Sequence, residues 1–116
     1  MQYCRNIAFF LVFFNSFQAF SESIYNINPI QISKDVYVFI GNVNNVNNIN
    51  GGAISNTGFI IGETSILVID AGPSYLYASK VIEIIKSYSS LPIKYLIVTH
   101  HHPDHSFGIS KFIEIE

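Results

Sequence analysis

The chain has 116 residues, a formal net charge of -2, 49% hydrophobic residues and a single cysteine. That length allows one domain at most. No basic stretch occurs, so a nucleic-acid partner has no electrostatic footprint and none is expected, and one cysteine excludes an intramolecular disulfide.

The first residues read as a targeting segment. Arg5 is followed by the unbroken apolar run Ile7-Ala8-Phe9-Phe10-Leu11-Val12-Phe13-Phe14, the n-region and h-region of a secretory signal. Ala19-Phe20-Ser21 supplies small residues in an A-x-A-like pattern, which places cleavage after Ser21. Residues 1–21 are therefore expected to be a signal peptide and residues 22–116 the domain, exported to the periplasm or secreted. An uncleaved membrane anchor is the alternative, but the run is much shorter than the ~20 residues of a spanning helix. No stable membrane span is expected after cleavage. Cys4 precedes the apolar run and leaves with it, so a metal would find only nitrogen and oxygen donors.

Glu22 to Gln31 is irregular up to Pro29, Ile30-Gln31-Ile32 alternates, and Lys34-Asp35 marks a turn. Val36 to Ile40 is β-branched and aromatic and predicts a strand. Gly41 to Gly52 is rich in asparagine and ends in the turn signal Asn50-Gly51-Gly52. Thr57–Ile61 and Ser65–Ile69, joined by Gly62-Glu63-Thr64, predict a hairpin of two buried strands. Asp70 ends the second strand, where it can accept hydrogen bonds from the following turn, with Gly72 and Pro73 opening the next helix.

Ser74 to Ser90 predicts a helix with Ala78, Val81, Ile82, Ile85 and Tyr88 on one face, ended by Leu91-Pro92. Ile93 to Val98 then reads as a buried strand. Strand, helix and strand in that order give a parallel crossover, right-handed by strong preference. Ligands gather at the carboxyl ends of strands in open α/β sheets, which is where His100 begins.

All four histidines fall between His100 and His105. His100 and His102 are two apart in an extended segment, so their rings project to one side while His101 points to the other. Pro103 fixes φ and turns the chain, bringing Asp104 and His105 round to the same cavity. Imidazole suits zinc, iron, copper or nickel, and an added carboxylate suits a hydrolytic zinc site with an open position.

The block Ile93 to Gly108, with its Thr-His-His-His-Pro-Asp-His core, resembles the His-x-His-x-Asp-His signature of the metallo-β-lactamase-fold hydrolases. Asn56 to Gly62, followed by Ile66-Leu67-Val68-Ile69-Asp70-Ala71-Gly72, resembles the paired strands that precede that motif. The resemblance covers Val36 to Phe112. It implies an α/β fold, the amino-terminal half of a metallo-β-lactamase αβ/βα sandwich. It also implies one or two zinc ions, iron being less expected, with His100 and His102 as ligands of the first and Asp104 and His105 of the second. Asp104 would further act catalytically by orienting a metal-activated water that attacks an ester, thioester or amide carbonyl of a small-molecule substrate. Asp70 would be a buried support beneath the histidine loop, and His101 would have no metal role. The Asn-rich loop is either a plain hairpin loop or, by the same resemblance, a flap over the site.

The motif and the export signal are together similar to periplasmic metallohydrolases that accompany quinoprotein systems, and β-lactam hydrolysis is the alternative substrate reading. The later ligands of the family pattern do not occur, and Phe112 to Glu116 offers neither a capped helix nor a strand partner. The chain therefore reads as an amino-terminal fragment truncated after the motif, its partner being the second half of the domain. Whether it is an enzyme alone stays open. A non-catalytic metal-binding peptide and a nonfunctional truncated product are the other two readings.

Overall fold

The computed structural model describes residues 24–115, so the expected signal segment 1–21 lies outside the described residues. Five strands form one sheet: β1 (Ile30–Ser33), β2 (Val36–Phe39), β3 (Thr57–Ile61), β4 (Ile66–Ile69) and β5 (Ile93–Ile97). They lie side by side in chain order. The first four pair antiparallel, β1 with β2 and β3 with β4 through tight turns and β2 with β3 through the Asn-rich loop, whereas β4 and β5 pair parallel. The long helix α1 (Tyr75–Tyr88) makes the crossover, and two short helices follow, α2 (Pro103–Ser106) and α3 (Ile109–Ile113).

Side chains alternate across a strand, so each apolar run presents two faces. Phe39, Phe59, Ile66 and Val68 point to one face and are buried, against Tyr77, Ala78, Val81, Ile82 and Ile85 of α1. Full burial of one such side chain is worth roughly 1.5–3 kcal/mol. The Tyr37 ring stacks on Phe59 at 4.7 Å between centroids, and Tyr88 meets Tyr37 edge-on at 4.9 Å. Tyr77 reaches Thr57 Oγ1 at 2.9 Å, and burial pushes its phenol up despite that bond. The chain before β1 is held by Tyr25, whose hydroxyl donates to the Gly51 carbonyl at 2.8 Å.

Several expectations need correction. The runs at β3, β4 and β5 look continuously buried in sequence, yet β3 and β4 are covered on the helix side and only half-buried on the other. Strand β5 is a sheet edge, with Tyr95 61% and Ile97 52% exposed. Helix α1 is opened not by Gly72 and Pro73 but by Ser74, an extended residue whose hydroxyl accepts from the Tyr77 amide. Tyr77 is a core residue that the helical face omitted, while Tyr88 stays 46% exposed beyond its ring contacts. The tail has no capped helix, as expected: α3 forms without a side-chain cap and buries Phe112 in the core. Among the described residues no helix is long and apolar enough to cross a membrane.

Candidate metal centre

The site is built where the parallel pair ends. The ladder runs one step past β4, the Asp70 amide donating to the Ile97 carbonyl at 2.7 Å. This sets Asp70 beside the residues that leave β5. Asp70 has a φ of 62°, a left-handed conformation that aspartate tolerates better than most side chains. Its carboxylate is 4% exposed and accepts from the Thr99 amide at 2.7 Å and from His105 Nδ1 at 2.8 Å. The Thr99 hydroxyl lies 3.0 Å from each carboxylate oxygen. Burial by itself would push Asp70 up, but the bonds from the Thr99 amide, His105 and the Thr99 hydroxyl outweigh it and hold the carboxyl below its ordinary value.

The loop after β5 is docked onto the start of the crossover by backbone bonds. Ala71 N–H donates to the His105 carbonyl at 2.8 Å and Gly108 N–H to the Gly72 carbonyl at 3.0 Å. Gly108 is required at that approach, because a Cβ there would collide with the Ala71 carbonyl and press on the Ala78 methyl. From the other side, Ser55 Oγ donates to the Asp104 carbonyl at 2.6 Å, so the return leg of the Asn-rich loop holds the histidine loop too. Pro103 starts α2, and the His105 and Ser106 amides both donate to the His102 carbonyl, at 3.0 and 3.1 Å. That single helical turn carries Asp104 and His105 round toward His100.

The sequence-derived candidates thus gather at one place. His100 Nε2 faces His102 Nδ1 at 3.0 Å, and His105 Nε2 faces Asp104 Oδ2 at 3.4 Å. The His100 and His105 rings lie 4.1 Å apart, which joins the two pairs. His101 is exposed, its ring 5.1 Å from that of His102. Two ligand nitrogens at zinc bond lengths of about 2.0–2.1 Å and a tetrahedral angle stand about 3.3 Å apart. Each pair therefore has the donor types and the spacing of two ligands to one ion. Among the described residues no three His, Cys, Asp or Glu side chains converge as one ligand set. The donor chemistry fits zinc, while each pair supplies two of the three protein ligands usual at a catalytic ion.

Thr99 and Ser55 were not picked out from the sequence. Thr99 stands directly before the histidines, and only the register that lays β5 beside β4 reveals that it faces Asp70.

The comparisons with known proteins agree with this geometry. Residues 50–116 match the family model described as the metallo-beta-lactamase superfamily. A linear primary-alkylsulfatase of a Pseudomonas species is 35% identical over 51 residues, which are 44% of this chain and 10% of that protein. The solved structure of TMB-1 superposes with a TM-score of 0.59 at 21% identity, over 76% of this chain and 39% of its own, a likeness of fold. The chain thus spans well under half the length of either protein. A strand-helix-strand crossover ending in this histidine loop, together with a family match over more than half of the sequence, places the chain in the metallo-β-lactamase superfamily.

Proposed function

We propose that the chain carries the metal-binding loop of an exported, zinc-dependent metallohydrolase acting on a small molecule, with His100 and His102 serving one ion and Asp104 and His105 a second. The observation that carries this reading is the pairing of potential ligand atoms at 3.0 and 3.4 Å on a loop braced by a buried carboxylate. Zinc held there supplies Lewis acidity toward a carbonyl and a nucleophile near neutral pH. The chain's own residues do the positioning. Asp70 accepts a hydrogen bond from His105 Nδ1–H and so leaves Nε2 facing Asp104, an arrangement that fixes the ring's orientation. The 22% exposed Asp104 carboxylate can accept a hydrogen bond from an attacking water and hold it.

Each pair is short of a full ligand set, so in the working protein the remaining ligands come from further sequence. An ester, thioester or amide carbonyl is the substrate class, and β-lactam amides belong to it. The likeness to a protein named as an alkylsulfatase favours one addition, a sulfate ester of a primary alcohol.

Zinc calorimetry on the chain, with His102→Ala beside it, tests the reading. The expected result is weak binding that His102→Ala weakens further and that fades as pH falls, since protons compete with zinc for the imidazole nitrogens. Thioester, β-lactam and alkyl-sulfate hydrolysis should be undetectable until the remaining ligands are supplied. Tight binding of two ions, or turnover that His102→Ala abolishes, would show instead that this chain assembles a complete site by itself.

A further inference from the structure

Thr99 sits at the junction of the two pairs. Its Oγ1 lies 3.0 Å from both Asp70 oxygens and 3.0 Å from His100 Nδ1. A hydroxyl has one proton to give and lone pairs to receive with. Asp70 is ringed by donors, the Thr99 amide and His105 Nδ1 among them, so it stays an ionised acceptor with no proton to offer. The Thr99 proton therefore goes to Asp70, and Oγ1 presents a lone pair to His100. The 3.0 Å contact is then a hydrogen bond only if His100 carries its proton on Nδ1.

We infer that Thr99 is a positioning residue: by accepting a hydrogen bond from His100 Nδ1–H it sets that tautomer and leaves Nε2 bare, free to serve the first ion. The last step rests on the metallohydrolase reading above; the tautomer itself does not. The Asp70–Thr99–His100 chain does for the first pair what the direct Asp70–His105 bond does for the second. One buried carboxylate thereby orients a ligand of each. His102 is different. Facing a bare His100 Nε2 at 3.0 Å, its Nδ1 must carry the proton in the metal-free chain, and zinc must displace it. Two imidazoles are preset and one has to switch. The rival arrangement turns the Thr99 hydroxyl toward His100, which takes a donor from Asp70 and places a proton on the Nε2 that should bind metal.

The test is a long-range proton–nitrogen correlation on the metal-free full chain with labelled histidine, at mildly alkaline pH. His100 should appear as the Nδ1–H tautomer in the wild type and in Thr99→Ser, and as a mixture or the Nε2–H form in Thr99→Val. Zinc affinity measured against a competing chelator should fall about 10–100-fold in Thr99→Val and recover in Thr99→Ser. Wild-type His100 in the Nε2–H form overturns the inference, as does a Thr99→Val chain with unchanged tautomer and affinity. Should Thr99→Val fail to fold, the wild-type and Thr99→Ser tautomers decide. A wild type with Nδ1–H on His100, whose imidazole signals ignore zinc, supports the tautomer-setting role and overturns the hydrolase reading instead.

Discussion

Asp70 occupies a left-handed backbone conformation that costs a non-glycine residue roughly 1 kcal/mol or more, and its side chain explains why the fold keeps it there. From that position one carboxylate accepts from the Thr99 amide, the Thr99 hydroxyl and His105 together. Asp70→Asn preserves shape and turn tolerance but puts an amide donor among donors. It should destabilise the chain by about 1–3 kcal/mol in urea unfolding, the cost of unsatisfied buried groups. The pH dependence follows from the lowered carboxyl. Because the folded value lies below the unfolded one, the contribution is complete above the ordinary aspartate range and is lost as pH falls through the depressed value. Acid titration of wild type against Asp70→Asn should show the two stabilities converging only below that ordinary range.

At the scale of elements, the loop depends on how closely its far end docks. Gly108→Ala should cost about 1–3 kcal/mol, the usual penalty for overpacking, and should weaken zinc binding along with stability, because the contacted Ala71 carbonyl belongs to the segment that holds His105. Ser74→Ala should cost about 1 kcal/mol in thermal unfolding by removing the cap of α1, with zinc binding unaffected. The strands and α1 were legible in sequence because β-branched runs and a 3.6-residue apolar period are local signals. His100, His102, Asp104 and His105 were legible for a similar reason, lying within six positions. The faces of the strands were not, since an apolar run does not say which side will be covered. Neither was the seat of Phe112 in the core, since the five residues of α3 carry no capping signal and gain their place from its burial. Thr99 and Ser55 depend on partners 29 and 49 positions away, which periodicity cannot report.

For the whole molecule, the sheet has one dressed face and one bare one. Val36, Val38, Ile60, Leu67 and Ile69 are only partly covered on the side away from α1, and the register continues that surface to the exposed Tyr95 and Ile97. A contiguous apolar surface of this kind favours association. The chain should therefore self-associate on size-exclusion chromatography, and the double variant Tyr95→Lys, Ile97→Lys should move it toward a monomer with little change in melting temperature; unchanged elution would place the sticky surface elsewhere. The parallel joining of β4 to β5 has a consequence in time as well as in space. The β1–β2 and β3–β4 pairs zip from short turns, but this pair closes only after the whole of α1 has folded back, so its loop-closure entropy is met late. The imidazole cluster cannot be assembled before that event, and it comes apart when the pair opens. In amide hydrogen exchange, Thr99 N–H, bonded across the closure to Asp70, should therefore exchange at the rate of the slowest β4 amides, although it lies at the rim of the sheet where fast fraying is the rule.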